Sequence, residues 1–137
     1  MSRISFTVLG HAAPQGSMKG FLVQGKVRMK SQLKDTMPWR QQVGWTALAH
    51  RPTSDVWAAR HVPVCLGAKF FFAPPKKMPK DRTRPAVAPD LDKLHRAVMD
   101  ALKGILYIDD AQVVEFYGSG KYYGLPERVE ITMEILQ

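Results

Sequence analysis

Five of the chain's 12 acidic residues lie between positions 90 and 110, in the stretch PDLDKLHRAVMDALKGILYIDD. Asp90 and Asp92 open it, Asp100 sits in its middle, and Asp109 and Asp110 close it. Asp90 and Asp92 are two apart, where a proline-led extended segment meets a helical pattern. Extended backbone puts both carboxylates on the same side. Two such charges repel unless a cation lies between them. Mg²⁺ suits the arrangement, because it takes few carboxylates and fills its other positions with water or phosphate oxygen. Asp109 and Asp110 can join this site only if the strand after them pairs near the start of the helix. Ordinary structure offers another account. Asp is a favoured N-cap, and acids in a first turn complement the helix dipole. Asp109-Asp110 suits a turn, and Asp100 is either solvated or paired with Arg96. A calcium loop does not fit, since Leu94, His95 and Ala101 stand where that loop needs a ligand, a glycine and a closing glutamate.

The acids stand out because the rest of the chain is basic. Its 137 residues carry a formal charge of +8. Residues 1–89 hold 15 Lys/Arg against 3 acids, and residues 90–137 hold 5 against 9. A basic body points to a polyanionic partner, and a divalent cation would let carboxylates work beside phosphates. The densest basic patch is Lys76, Lys77, Lys80, Arg82 and Arg84, in PPKKMPKDRTRPAVAP. With five prolines this segment is neither helix nor inner strand. It reads as a mobile loop leading into Asp90, suited to phosphate contacts but with no code for reading bases.

Other classes fall away. No apolar run is long enough to span a membrane, and MSRISFTVLG reads as a strand rather than a signal peptide. The lone Cys65 reads as a buried free thiol and fits a reducing cytoplasm. Nothing resembles a nucleotide-binding loop or a catalytic triad, so a small-molecule enzyme fits poorly.

The elements that must position the acids follow from pattern. RISFTVLG alternates, with Ile4, Phe6 and Val8 on one face of a strand. FLVQGKVRMK suggests a hairpin turning at Gln24-Gly25. Residues 36–50 read as a helix capped by Thr36, with Pro38 in its first turn and Trp39, Val43 and Ala47 as its apolar stripe. Pro52 marks its end. Trp39 and Trp45 read as core or dimer contacts. HVPVCLGAKFFFA is a central strand. From Leu91 a helix runs with Leu94, Val98, Ala101, Leu102 and Ile105 on one face, stopped by Gly104. AQVVEFYGSGKYYG and ERVEITMEIL read as an antiparallel strand pair, the second with Val129, Ile131, Met133 and Ile135 inward. The order indicates one α/β (α+β) domain over 1–137, with a mixed sheet and two main helices.

Residues 89–114 resemble the signature of the RusA family of Holliday junction resolvases. That signature runs Asp-x-Asp-Asn-Leu-x-Lys, Asp-Ala-Leu, Asp-Asp-x-Gln-Val. The segments APQGSMKGF and PWRQQV are similar to parts of phage and bacterial members. The resemblance implies a RusA-like fold and a homodimeric endonuclease that makes paired nicks in four-way DNA junctions with Mg²⁺ or Mn²⁺. Carried over by position, the catalytic and metal-binding carboxylates are Asp90, Asp92 and Asp110, with Asp109 a weaker candidate and Asp100 a supporting residue. Two positions depart from the pattern: Lys93 replaces the family's Asn, and Arg96 its Lys. Arg96, one turn after Asp92, can clamp a phosphate but does not readily exchange a proton. Lys93 partly replaces the missing ammonium and is a DNA contact. His95 reads as a surface residue, with proton transfer as the alternative. The departures leave open a branched-DNA-binding protein of little or no activity, or a nuclease preferring other branched DNA.

Overall fold

Strict alternation makes β1 (Arg3–Leu9) a strand with one dry face, burying Ile4, Phe6 and Val8. The computed structural model describes residues 2–14 and 26–137, and over 26–37 the backbone alone. After β1 come α1 (Lys26–His50), β2 (Val64–Phe72), α2 (Leu91–Leu102), a 3₁₀ turn (Asp110–Gln112), β3 (Val113–Phe116), β4 (Gly120–Tyr123) and β5 (Arg128–Ile135). One mixed sheet of five strands carries both helices, an α+β fold as expected. The strand order is β1-β5-β2-β3, with β4 also on β2.

β2 is central, as its long apolar run predicts. β5 lies antiparallel along one edge of it, and β3 and β4 lie parallel along the other. The expected pairing of the last two segments with each other is therefore wrong. The reason is the connection. β2, α2 and β3 form a crossover unit, and a helical crossover returns the chain parallel to the strand it left. β3 and β4 thus fill one edge of β2, and β5 slots between β2 and β1.

The segment read as one strand is also broken. Leu66 faces Phe116 and Lys69 faces Gly120, so four steps on one side match three on β2. The extra length bulges at Tyr117–Ser119. Gly67 makes this possible, because a Cβ there would run into the Tyr117 carbonyl oxygen. Gly67→Ala should therefore lower the midpoint of chemical denaturation, at a cost of about 1–3 kcal/mol. An unchanged midpoint would show that the bulge has room to move.

The helices cover one face of the sheet. Trp39, Val43 and Ala47 of α1 and Leu94, Val98 and Leu102 of α2 share a core with Phe70, Val129, Ile131 and Met133. Ile135 is half-buried at its edge. Trp45, by contrast, is 65 % exposed on α1 and is not a core residue. Helix α1 starts ten residues earlier than Thr36, and Pro38 lies inside it. KVRMKSQLK is rich in straight-chain helix formers, which outweighs a single Gln-Gly turn signal. Of the expected hairpin, residues 21–25 lie outside the described residues and 26–30 are helical. Cys65 is buried and free, and burial, then Glu115 and Glu134, raises its pKa and keeps it a thiol. Among the described residues no helix is long and apolar enough to cross a membrane.

Candidate active site

Asp90 occupies the N-cap position of α2, yet its side chain makes no capping hydrogen bond. Only its backbone takes part, as the Leu94 N–H donates to Asp90 O (3.1 Å). The carboxylate is left exposed, 3.8 Å from Lys93 Nζ. An open pair at that distance contributes little stability. Asp92 does serve the first turn, accepting the Lys93 N–H at Oδ1 (2.9 Å). The approach to Asp90 is fixed from outside the motif. Lys121 Nζ donates to the carbonyls of Val87 (2.7 Å) and Pro89 (2.8 Å).

The second acidic pair divides its labour. Asp109 caps the 3₁₀ turn, accepting the Ala111 N–H (3.1 Å) in a capping box with Gln112. Gln112 is buried and accepts the N–H groups of Ile108 (2.8 Å) and Asp109 (2.9 Å). Its amide donates to Ala59 O (2.8 Å) and Val62 O (3.0 Å). Asp109 is therefore structural in its contacts, while Asp110 faces Tyr107. Gly104, at φ +84°, turns the chain sharply after α2 and brings fully buried Tyr107 back under the helix. The Tyr107 hydroxyl has one proton and two acceptors within reach, Met99 O (2.8 Å) and Asp110 Oδ1 (3.0 Å). Burial first, and the Asp110 charge second, push its pKa well up, so it remains a donor. Tyr107→Phe should cost about 1 kcal/mol of stability. It should also slow any Asp110-dependent cleavage about tenfold, the usual penalty for losing an orienting partner; single-turnover rates would measure this.

His95 is buried, not a surface residue. Its Nδ1 lies 3.1 Å from Leu91 O, and a carbonyl can only accept, so Nδ1 carries the proton. Burial holds the ring's pKa down, against the opposing pull of Leu91 O and Asp92. The neutral ring's Nε2 accepts from the Ser119 hydroxyl (2.8 Å), and Ser119 Oγ accepts the Ala68 N–H (3.0 Å). This chain of bonds ties the first turn of α2 to β2 through the bulge that Gly67 permits. Asp92 and Arg96 then face one cleft with Leu91, Met99 and Phe116. Asp100 pairs with Arg40 of α1 (3.4 Å), not with Arg96. Arg96 is left exposed for other work.

Among the described residues no three His, Cys, Asp or Glu side chains lie close enough together to hold a metal ion. The hydrogen bonds explain the spread. Tyr107 links Asp110 to Met99, which lies seven residues beyond Asp92, about 10 Å along a helix axis. The donors are nonetheless of the right kind. They are carboxylate oxygens, and Mg²⁺ is commonly held by one or two of these with substrate phosphate and water completing the shell. Asp90, Asp92 and Asp110 thus match a divalent cation in donor type but do not, in this arrangement, converge on a single one.

The family model for endodeoxyribonuclease RusA matches residues 14–134. The chain belongs to the RusA endodeoxyribonuclease family. A Bacillus subtilis (strain 168) protein, named as uncharacterized protein YqaN, is 34 % identical over 141 residues, covering 96 % of this chain and 95 % of its own length. The acidic stretch of this RusA chain lies wholly within the matched residues. So does the basic segment before it, which has no helix or strand. Lys76, Lys77 and Lys80 are exposed there. Arg84 is engaged: its guanidinium sits 4.1 Å over the Tyr122 ring and donates to Lys121 O (3.0 Å). Of the residues that hold the RusA carboxylates, Tyr107, Lys121 and Ser119 carry no signal in the sequence, Gln112 carries one as the Gln of the closing motif, and His95 reads there only as a surface or proton-transfer residue.

Proposed function

We propose that this chain is a metal-dependent, structure-selective endodeoxyribonuclease that resolves Holliday junctions by paired nicks, in recombination and repair. The observation that carries this reading is the Asp90 carboxylate. It stands at an N-cap without capping, beside Asp92, at the position where the family motif opens. Asp90, Asp92 and Asp110 would hold Mg²⁺ or Mn²⁺, which would polarise the scissile phosphate and lower the pKa of an attacking water. Arg96 binds a phosphate oxygen and stabilises charge that grows there. Lys93 neutralises part of the acidic field and meets the same strand. Lys76, Lys77, Lys80, Arg82 and Arg84 hold flanking phosphates. Two nicks in a substrate of near two-fold symmetry call for two sites, which a C2 homodimer supplies.

Binding through such phosphate contacts releases counterions. Junction affinity should fall steeply between 50 and 200 mM salt, both about the usual test range. Lys76→Ala and Lys77→Ala should each reduce the salt slope by about one. A slope unchanged in both variants would remove this segment from the interface.

The deciding experiment compares four-way junctions, flaps and linear duplex, in Mg²⁺ and in Mn²⁺, beside an Asp90→Asn control. Paired nicks in the junction alone, lost in the control, are the expected result. Tight junction binding without cleavage in either metal would favour a second reading, a branched-DNA-binding protein. Arg96 and Lys93, where the family pattern has Lys and Asn, are the observation behind that reading. Preferential flap cleavage would move the substrate class.

A further inference from the structure

Phe116 ends β3 beside the carboxylates, and it is 52 % exposed. One face of its ring is covered. The His95 imidazole stacks on it at 4.5 Å and 28°, and His95 in turn meets the Phe70 ring edge-on at 5.9 Å. The ring also lines the cleft that Asp92 and Arg96 share, a space of about 670 Å³ whose walls include Leu91 and Met99. That is ample for one aromatic heterocycle, in the usual range for ligand clefts.

We infer that this cleft is a nucleobase site, in which Phe116 stacks on the base next to the phosphate bound by Arg96. The inference rests on the nuclease reading above and names a part of the substrate that reading leaves open. Three observations carry it. Arg96, the phosphate-binding cation, and the aromatic ring line one cleft, and a base is only one sugar away from its phosphate. The ring is backed by an imidazole whose two nitrogens are both bonded, so the platform is rigid. The Ser119 hydroxyl at the cleft wall is also spent, donating to His95 and accepting from Ala68. Little remains to read a base edge, so the site stacks on any base, which is the sequence-tolerant mode of single-strand recognition. A branch point supplies such a base, since unstacking is least costly where pairing is already disturbed. A second copy of the chain suits the cleft less well. Interface cores are depleted of charge, and here Asp92 and Arg96 both face the space.

The test is a double-mutant cycle across the complex. Affinity is measured in EDTA, which prevents nicking, for wild type and Phe116→Ala. Each is titrated with intact junctions and with junctions carrying one abasic residue beside the nick site. Either change alone should weaken binding about tenfold, and the two together no further. Phe116→Tyr should bind like wild type. Phe116→Leu, which still covers His95, should bind like Phe116→Ala, and this separates stacking from fold support. Affinity within twofold of wild type for Phe116→Ala would overturn the inference. So would losses that multiply to about a hundredfold. A base-independent loss with a shift to monomer on sedimentation would assign Phe116 to a contact between copies instead. If wild-type protein does not distinguish a junction from duplex, the junction reading falls and this site with it. Junction-selective but base-insensitive binding sinks the stacking site alone.

Discussion

Asp110→Asn should abolish nicking and leave junction affinity near wild type. The exchange keeps shape and removes one charge. The Tyr107 hydroxyl, 3.0 Å from Oδ1, can donate equally to the Asn carbonyl oxygen, so the turn after α2 keeps its anchor. Gln112 and Asp109 hold the 3₁₀ turn without help from the Asp110 side chain. The fold is therefore spared, and the loss is one of chemistry. In the proposed mechanism Asp110 would help hold a cation that contributes several kcal/mol of transition-state stabilisation, so its loss should cost on the order of 10³-fold in rate. Single-turnover cleavage and a binding titration on the same junction measure both halves of the result. Cleavage at the wild-type rate would remove Asp110 from the mechanism. Equal loss of binding and cleavage would make it a structural residue.

Much of the frame was legible because it is local. Alternation exposes β1 and β5, a long β-branched and aromatic run exposes β2, and a 3.6-residue period exposes α2. Each pattern answers to a single buried face. The pairing of β3 and β4 was less legible, since it depends on α2 acting as a crossover and on Gly67 admitting a bulge. Neither leaves a mark within AQVVEFYGSGKYYG. Type and spacing single out Asp90 and Asp92, and the family resemblance adds Asp110, but what orients them does not show in the sequence. His95 reads as polar in any periodic count, and only its two bonds, to a carbonyl in its own helix and to Ser119, make burial tolerable. Ser119 sits in Gly-Ser-Gly, which looks like any loop. Tyr107 hides in GILYI as one more apolar residue, although its hydroxyl fixes where Asp110 stands. Such residues act through partners distant in the chain, so no window of sequence contains the pair.

Arg96 carries the other large effect. It follows Asp92 by one turn and is exposed in the same cleft, while Asp100, the next acid along the helix, is already paired with Arg40. Arg96→Ala should slow nicking by about 10²–10³-fold, the range seen when one preorganised donor is lost from a developing anion. Junction affinity should change far less, because phosphates elsewhere keep their contacts. Arg96→Lys restores the family residue and should recover most of the rate, with a signature in pH. An ammonium is charged below its pKa of about 10.4 and loses its charge above it, whereas a guanidinium stays charged. The Lys variant should therefore lose rate as pH rises through about 10, where the wild type does not. Lys93 cannot cover for the loss. It lies a turn nearer the helix start, with its ammonium drawn toward Asp90 at 3.8 Å. Lys93→Asn, which likewise restores the family residue, should accordingly leave the rate within a few-fold of wild type. If instead Lys93→Asn is the damaging change and Arg96→Ala the mild one, the cation that meets the phosphate stands at the mouth of the helix beside Asp90, and the geometry of the attack must be drawn from there.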